Sequence, residues 1–313
     1  MDLSILIVNW NTRDYLLNCI RSIMRTEGSS WEVIVVDNGS HDGSGAEVKR
    51  LFPTVRLIEN DSNVGFAKAA NQGLQKVSGK YALLLNPDTQ VKNEVIKQLV
   101  SFMEAHLDTG VAGAQLLNTD GSKQNSIANF PTLATELLNK SLLKWLFPKK
   151  FPGKGRDYSE PIEVDSVIGA CMMVRRHAVE QVGLLDENYF LFFEETDWCY
   201  RMKKLGWRIY HVPYAKVFHF QGKSAEQDKK RSKVEYFRSR YYFFKKNRGK
   251  VQWFTLLIWR MLGLLLELIY RTVMCSFTFF EHKKWKKRLS VVAYLLQWHF
   301  KGCPEGMGLK PGK

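Results

Sequence analysis

The sequence predicts an α/β fold whose first half is an open, mainly parallel sheet. Short apolar runs rich in Val, Ile and Leu alternate with segments of helical spacing over residues 1–110. Runs that are apolar on both faces are typical of buried parallel strands, and their alternation with helices is typical of βαβ units. The C-terminal part is basic and apolar instead, which predicts an amphipathic helical extension.

Each element of this alternation has its own signal in the sequence. The first strand is predicted over 3–8, a continuous apolar run that Asn9 ends. Leucine and isoleucine spaced three and four apart then predict the first helix. The predicted strands cover 3–8, 31–36, 55–59 and 81–85, and the predicted helices cover 15–24, 71–77 and 95–105.

Polar residues follow three of the predicted strands. Asn9 ends the first, Asp37 and Asn38 end the second, and Asn86-Pro87-Asp88 ends the fourth. In open α/β sheets, ligands bind beyond the carboxyl ends of the strands. The first half of the chain is therefore predicted to bind a polar ligand.

Asp37 and Asp88 could contact a nucleotide that is bound without a phosphate-binding loop. The chain has neither a GxGxxG nor a GxxxxGK[ST] motif, so dinucleotide and P-loop binding lose their main support. Asp37 could accept from a pyrimidine N3–H, and Asp88 could hold a divalent cation that bridges a diphosphate. In isolation, Asp37 could equally be a turn former and Asp88 a helix N-cap.

A cluster of three acids follows the apolar run over 189–193. The acids are Glu194, Glu195 and Asp197. Partial desolvation beside large apolar side chains raises the pKa of a carboxyl and makes it a better proton acceptor near neutral pH. The alternative is a solvated helix N-terminus, because basic residues follow in helical register.

Charge is distributed unevenly along the 313 residues. Residues 1–221 contain 25 basic and 25 acidic side chains, whereas residues 222–313 contain 21 and 6. The five cysteines form no CxxC pair, which argues against a disulfide framework or a zinc site and favours a reducing compartment. The N-terminal residues do not resemble a signal peptide, so we expect the protein on the cytoplasmic side.

The basic C-terminal part needs a polyanionic partner, either anionic lipid or nucleic acid. A helix predicted over 251–280 places Arg260, Glu267 and Arg271 on one narrow stripe, with apolar residues over most of the remainder. This pattern favours a helix lying in a bilayer interface over a spanning helix. Five basic residues within 283–288 would contact lipid headgroups. The alternative is a helix buried against the rest of the protein.

Seven stretches of the chain carry a family resemblance. In order, they resemble motifs of the family 2 glycosyltransferases of the GT-A fold, and within that family the bacterial rhamnosyltransferase-like branch that builds surface polysaccharides. The stretches are ILIVNWN (5–11), VVDNGSHDGS (35–44), NVGFAKAANQG (63–73), LLLNPD (83–88), GACMMVRR (169–176), YFLFFEETDWCYRMKKLGW (189–207) and HFQGKS (219–224).

The resemblance implies a domain organisation and a reaction. A GT-A catalytic domain would cover 1–225, with a nucleotide-binding half over 1–110 and an acceptor and catalytic half over 111–225. A basic, apolar, membrane-associating extension would cover 226–313. The implied reaction is an inverting transfer of a sugar from a nucleoside diphosphate to an acceptor hydroxyl.

The resemblance also assigns roles to residues. Glu195 would be the general base, with Glu194 and Asp197 beside it, and Asp88 would bind Mg²⁺ or Mn²⁺ with His219 as a further metal ligand or diphosphate contact. The nucleotide-sugar contacts would be Asn9, Asp37, Asn38, Gly65, Lys68, Asn71, Asn86 and Asp88.

Two positions depart from the family pattern. Asn86 occupies the first acidic position of the Asp-x-Asp metal motif, which leaves one strong carboxylate ligand. Glu194-Glu195 replaces the usual Glu-Asp pair, so the longer side chain could shift the geometry of the base or its assignment.

The resulting prediction is a membrane-associated glycosyltransferase of cell-surface polysaccharide synthesis. We expect a dTDP- or UDP-sugar donor, with rhamnose or another deoxysugar preferred, and a lipid-linked or oligosaccharide acceptor. The protein would be peripheral or monotopic on the cytoplasmic face, bound to anionic lipid through residues 229–300 and to no nucleic acid. The alternatives are a non-catalytic, membrane-bound nucleotide- or sugar-binding scaffold, a nucleotidyltransferase, a nucleic-acid-binding protein, and a glycosidase using Glu194 and Asp197.

Overall fold

A computed structural model describes residues 2–24, 31–138, 158–220, 228–277 and 282–310. The last three residues of the predicted helix over 251–280, and part of the motif over 219–224, lie outside the described residues. Within the described ranges the chain divides into two compact units, each built from several stretches of sequence.

The elements follow one another as an alternation of strands and helices and then as helices alone. Up to residue 128 they are β1 (Leu3–Asn9), α1 (Arg13–Met24), β2 (Trp31–Asp37), α2 (Ser44–Leu51), β3 (Arg56–Glu59), α3 (Phe66–Leu74), β4 (Tyr81–Leu85), β5 (Thr89–Gln90), α4 (Asn93–Ala105), β6 (Thr109–Leu117) and β7 (Ile127–Ala128). The later elements are α5 (Leu133–Leu137), β8 (Ile162–Glu163), β9 (Ser166–Val167), β10 (Cys171–Arg175), α6 (Arg176–Val182), α7 (Glu194–Lys204), β11 (Arg208–His219), α8 (Lys229–Asn247), α9 (Lys250–Phe277), α10 (Lys283–Phe300) and a 3₁₀ turn (Glu305–Met307).

The first unit is built on a nine-stranded sheet. Its strand order is β3-β2-β1-β4-β10-β6-β11-β5, and β8 also pairs with β11. Strands β3, β2, β1 and β4 are parallel, as are β6 and β11, whereas β10 runs antiparallel between β4 and β6. Strands β7 and β9 form a separate two-stranded sheet. The predicted open, mainly parallel α/β sheet is confirmed.

The register of the sheet aligns the predicted strand ends. Asn9 of β1 lies opposite Asp37 of β2, and Ile7 of β1 lies opposite Leu85, the last residue of β4. The polar residues after these strands therefore lie along one edge of the sheet, as parallel pairing requires.

Helices cover both faces of this sheet, which explains why the strands read as continuous apolar runs. Alternate residues of β1 point to opposite faces, so Ile5 and Ile7 join one core cluster and Leu6 joins the other. The first cluster includes residues of α1 and α4, and the second includes residues of α3 and α7.

Two helices differ from their predictions. Helix α3 begins at Phe66 instead of 71 and ends at Leu74 instead of 77, and α2 was not predicted. The inward face of α3 is formed mainly by alanines, and α2 buries a single large apolar residue, Val48. Small side chains produce little hydrophobic periodicity, so the pattern could not locate these helices.

The second unit contains α5, residues Phe190–Phe193 and the helices from α8 onward. Its core is aromatic: the rings of Tyr241 and Trp298 stack, and Phe193 packs on Tyr236 and Phe243. Phe193 and the residue before it have φ of 71° and 70°, a left-handed backbone that side chains with a Cβ rarely adopt. The C-terminal residues bind to α8 through backbone N–H groups of residues 309 and 310 that donate to Glu235.

Helix α9 turns its apolar side chains outward. Leu266 and Ile269 are 69% and 62% exposed, and only Leu256, Leu264 and Cys275 of this helix are buried. The predicted charged stripe faces inward instead: Arg271 is ion-paired with Glu267 at 2.5 Å, and the Nε of Arg260 is buried. With 28 residues, α9 is long and apolar enough to cross a membrane by length and composition.

Candidate active site

The first cluster of the site lies where β1 and β2 end. Asp37 Oδ1 accepts hydrogen bonds from Asn9 Nδ2 at 3.2 Å and from the Ser40 hydroxyl. Asn9 Oδ1 in turn accepts from the Thr12 hydroxyl at 2.7 Å, which orients its amide. Among the described residues no donor reaches Asp37 Oδ2, and a Cβ on Gly45 would lie only 3.3 Å from this oxygen. The cluster therefore presents one fixed carboxylate oxygen that can accept from a ligand.

Asn38 organises the loop that follows β3. Its Oδ1 accepts from the Asn60 amide and from the backbone N–H of Val64, both at 3.1 Å, and its Nδ2 donates to Asn63 at 2.9 Å. These bonds use both ends of the buried amide. Asn38 thus positions the loop before α3, instead of presenting a free polar group.

The three predicted contacts at α3 have different environments. Gly65 has a φ of 89° and ends the loop, so a side chain there would be strained. Lys68 is exposed in the first turn of the helix. Asn71 is buried and bonds to both backbone groups of Leu185 and to Glu187, so it fastens α3 to the segment before α7. Asn71 is therefore occupied by contacts within the protein, whereas Lys68 is exposed at the start of the helix.

Asp88 and His219 are brought together by the pairing of β5 with β11. His219 lies opposite Thr89 in this pairing, and the backbone N–H of Phe220 donates to Asp88 O at 2.9 Å. The Nε2 atom of His219 is 3.4 Å from Asp88 Oδ1, and both side chains are more than nine-tenths buried. Residues more than 130 positions apart thus face each other.

Gln124 sets the orientation of the His219 ring. Its amide nitrogen donates to His219 O at 2.6 Å and to Asn118 Oδ1 at 2.8 Å, which leaves Oε1 facing His219 Nδ1 at 3.0 Å. An amide oxygen only accepts, so Nδ1 carries the proton. In the neutral ring the lone pair is then on Nε2, the atom that faces Asp88.

Asp88 and His219 could supply two ligands to a divalent cation whose remaining ligands come from outside the protein. A carboxylate oxygen is a common ligand of Mg²⁺ and Mn²⁺, and an imidazole nitrogen is a common ligand of first-row transition metals. Among the described residues there is no group of three or more His, Cys, Asp or Glu side chains that could hold a metal ion. Asn86 lies two residues before Asp88 in the chain, and its backbone N–H donates to Ala170 O at 3.0 Å.

Glu195 has an unusual environment for a carboxyl group. It is the second residue of α7, and burial raises the pKa of its carboxyl, an effect that the backbone N–H groups of Glu195 and Thr196 partly oppose. Its Oε2 is enclosed and has no hydrogen-bond partner among the described residues. A carboxylate with a raised pKa and an unsatisfied oxygen is well suited to accept a proton.

Gly169 connects this carboxyl to the end of β4. A methyl group on Gly169 would lie 3.7 Å from Cβ and Cγ of Glu195, and the neighbouring Ala170 accepts the hydrogen bond from Asn86. The residues that follow β4 and the Glu195 side chain therefore contact the same two-residue turn.

The other two acids of the cluster are less accessible. Glu194 is buried, with 6% of its surface exposed. Asp197 is completely buried and is ion-paired with Arg201 Nε at 2.8 Å. Arg201 also donates to the carbonyl groups of residues 182 and 184, so Asp197 helps to fasten α7 to the preceding segment. This environment favours a positioning role for Asp197.

Sequence reasoning did not identify two side chains of the site. Ser40 lies three residues after Asp37, a spacing typical of a turn in which a hydroxyl bonds a carboxylate, so a local signal was available. Gln124 lies 95 residues from His219, and no local pattern connects them.

Comparison with known proteins identifies the family. Residues 4–183 match the model of "Glycosyl transferase family 2", and the chain belongs to this family. The chain is 26% identical over 276 residues to the N-acetylglucosaminyl-diphospho-decaprenol L-rhamnosyltransferase of Mycobacterium tuberculosis, covering 83% of this chain and 89% of that protein. It is 27% identical to the dTDP-rhamnosyl transferase RfbF of Shigella flexneri, over 69% of this chain and 68% of the relative.

A solved structure supports the fold. The mannosyltransferase PcManGT from Pyrobaculum calidifontis, in complex with GDP-Man and Mn²⁺, superposes with a TM-score of 0.59 at 14% identity. The match covers 96% of this chain and 86% of that chain. The protein is a glycosyltransferase, and the predicted rhamnosyltransferase-like resemblance and GT-A fold are confirmed.

Proposed function

We propose that this enzyme transfers a deoxysugar, preferentially rhamnose, from a dTDP-sugar to a glycan on a lipid diphosphate carrier, with inversion at the anomeric carbon. The observation that carries the proposal is the enclosed carboxyl of Glu195 beside the turn that also contacts the end of β4. An inverting transfer needs one base and a site for a diphosphate, and it needs no covalent nucleophile.

The donor would bind along the aligned strand ends. Asp37 would accept from the N3–H of a pyrimidine base through its free oxygen, and Asn9 would hold that carboxylate in place. The loop held by Asn38 would bring Gly65 and the start of α3 to the diphosphate, where Lys68 adds positive charge. We assign the nucleotide to residues 1–110 and acceptor activation to residues 111–225.

Asp88 and His219 would hold the metal ion in this assignment. A bound Mg²⁺ or Mn²⁺ supplies positive charge that stabilises a departing diphosphate. Asn86 would lie beside this ion as a neutral side chain where related sites carry an acid. Gln124 would keep Nε2 of His219 available as a ligand.

Glu195 would act as the general base. It would remove the proton of the acceptor hydroxyl as that oxygen attacks the anomeric carbon, while the bond from this carbon to the diphosphate oxygen breaks. The electron pair of that bond leaves with the nucleoside diphosphate, and the proton stays on Glu195 until it exchanges with solvent. Asp197 would position α7, and Glu194 is the alternative base.

The names of the two relatives support the choice of substrates. One acts on N-acetylglucosaminyl-diphospho-decaprenol and the other uses a dTDP-rhamnosyl donor, and each match covers at least two thirds of both chains. An acceptor of that kind carries a long apolar chain. We therefore place the enzyme on the cytoplasmic face of the membrane, with α9 in the lipid interface and the basic residues of α8 and α10 on anionic headgroups.

Calorimetric titration with dTDP and UDP, each with and without Mn²⁺, tests the donor site. We expect micromolar binding of dTDP that Mn²⁺ strengthens, and loss of this strengthening in Asp88→Ala. Absence of binding to either nucleotide under both conditions would contradict the proposal and favour a non-catalytic scaffold. Cleavage of a nucleoside triphosphate with release of pyrophosphate would instead indicate a nucleotidyltransferase.

A further inference from the structure

The second unit contains a small cavity next to α9. Its lining comes from α5, α8 and α9, and it includes Glu136, Phe237, Arg240, Trp259 and Arg260. The space for water-sized molecules amounts to about 40 Å³. One water needs at least about 10–15 Å³ of such space, so the cavity can hold a group of a few heavy atoms, such as a phosphate, but not a sugar.

The two arginines of this cavity are incompletely paired. Arg240 is ion-paired with Glu136 at 2.7 Å and donates to the Tyr236 hydroxyl at 2.6 Å. Arg260 has no ion-pair partner among the described residues, and its guanidinium lies 4.5 Å from the centre of the Phe237 ring. The Nε atoms of Arg240 and Arg260 are both buried without a hydrogen-bond partner in the described part of the chain.

An anion would complete this arrangement. Two arginines and one glutamate leave a net charge of +1 beside the cavity, and a partly enclosed charge is stabilised by a partner of opposite sign. Tyr241 cannot supply the missing negative charge, because burial raises the pKa of its hydroxyl and that hydroxyl bonds to His299 at 2.9 Å. Two guanidinium groups with free donors match the oxygens of a phosphate.

The surroundings of the cavity indicate what this anion is attached to. Trp259, which lines the cavity, is 51% exposed. It is followed on the same helix by the outward apolar side chains of Leu262, Leu266 and Ile269. A phosphate at Arg260 would therefore lie at the start of an exposed apolar face. A free inorganic phosphate makes no use of that face, whereas a phosphorylated lipid does.

We propose that this cavity binds the phosphate or diphosphate group of a polyprenyl lipid, with Arg260 as its main ligand and the outward face of α9 along the polyprenyl chain. The inference rests on the proposed lipid-linked acceptor. It assigns the recognition of that acceptor's charged group to the second unit.

The test is flotation of the full-length protein with phosphatidylcholine vesicles that contain either undecaprenyl phosphate or an equal charge of phosphatidylglycerol. EDTA is present, so that metal-dependent binding at Asp88 does not contribute. Inorganic pyrophosphate is added as a soluble competitor in a separate series. The variants are Arg260→Gln and, as the matched control, Arg271→Gln, which removes the same charge from the same helix at a residue paired with Glu267.

We expect wild type and Arg271→Gln to bind the undecaprenyl phosphate vesicles about 10- to 100-fold more tightly than Arg260→Gln does, as loss of a hydrogen bond to a charged group predicts. Binding to phosphatidylglycerol vesicles should be equal for the two variants. Arg260→Lys keeps the positive charge but lacks the guanidinium Nε, so its affinity for the undecaprenyl phosphate vesicles should lie between those of wild type and Arg260→Gln. Equal losses in both Gln variants would overturn the proposal. Pyrophosphate lacks the apolar chain, so release of the protein by pyrophosphate at a concentration no higher than that of the lipid phosphate would assign the site to free phosphate and overturn the lipid assignment. The dTDP titration of wild type reports separately on the proposed function.

Discussion

Glu195 has a raised pKa and an enclosed carboxyl oxygen without a hydrogen-bond partner among the described residues, two properties that suit a base at neutral pH. We predict that Glu195→Gln abolishes sugar transfer and leaves dTDP binding intact, because the amide keeps the size of the side chain but cannot accept the proton. Transfer assays with calorimetry in parallel measure both effects. Glu194→Gln is the matched control, since it removes the adjacent carboxylate and should retain activity.

If Glu195→Gln transfers sugar at the wild-type rate, Glu195 is not the general base, and Glu194 or Asp197 would be assigned that role. For Asp197 the structure suggests a different consequence. Asp197→Asn would weaken the buried pair with Arg201, so its main effect should be on thermal stability, whereas a catalytic role would lower the rate at unchanged stability.

The same burial makes the stability of the fold depend on pH. The folded-state pKa of Glu195 is raised above its unfolded value of about 4.3, so the ionised carboxylate destabilises the fold at neutral pH. This destabilisation is complete above the raised pKa and disappears as the pH falls to the unfolded value. We predict a higher melting temperature for Glu195→Gln than for wild type at neutral pH, with a difference that shrinks on acidification. A difference that is constant with pH would contradict the raised pKa.

Gln124 offers a test of how His219 is held. Gln124→Leu removes the acceptor of Nδ1–H and frees the ring to rotate, so we predict Mn²⁺ binding about 10- to 100-fold weaker, as for other groups that orient a metal ligand. Electron paramagnetic resonance of Mn²⁺ titrated with the protein and dTDP measures this affinity directly. Gln124→Glu retains an acceptor for Nδ1–H, so its Mn²⁺ affinity should fall less than that of Gln124→Leu. If His219→Ala and Gln124→Leu both bind Mn²⁺ as wild type does, His219 is not a ligand.

At the scale of elements, α9 distributes its side chains in the opposite way from a surface helix of a water-soluble protein. Its charged stripe faces inward, and its apolar residues are exposed, an arrangement that is stable only if something apolar covers the outer face. We predict that Leu266→Glu combined with Ile269→Glu reduces binding to anionic liposomes by at least about tenfold, because each change places a charge in the lipid interface.

The control for this pair lies in the first unit. Leu107 and Leu205 are 70% and 57% exposed, so Leu107→Glu combined with Leu205→Glu adds the same charge at comparably exposed leucines. Liposome co-sedimentation compares the two double variants. An equal decrease in both would show that net charge, and not the face of α9, controls membrane binding.

At the scale of the whole molecule, the excess positive charge lies in residues 222–313, with 21 basic against 6 acidic side chains. Such a surface attracts any polyanion, and the apolar face of α9 distinguishes lipid from nucleic acid. We predict retention on anionic liposomes that persists at raised salt, because the apolar contribution is not screened, and weak nucleic-acid binding that salt abolishes. Retention by nucleic acid but not by liposomes would contradict this assignment.

The sequence alone determined the strand pattern, the polar strand ends and the family. Buried parallel strands are continuous apolar runs, and turn residues mark their ends, so these signals are local. The strands predicted over 31–36 and 81–85 correspond to Trp31–Asp37 and Tyr81–Leu85. The acids of 194–197 were likewise visible beside an apolar run. Helix α3 was misplaced because alanines form its buried face.

Only the tertiary structure decided which of these residues face each other. Asp88 meets His219 through the pairing of β5 with β11, Gln124 orients that histidine across 95 residues, and Gly169 contacts Glu195. The structure also separated Glu195 from Asp197, two neighbouring acids of which one keeps an unsatisfied oxygen and the other is paired with Arg201. It also turned the charged stripe of α9 inward and its apolar side chains outward. The reason is physical: composition and periodicity report local preferences, whereas burial, hydrogen-bond partners and pKa depend on residues that only the folded chain brings into contact.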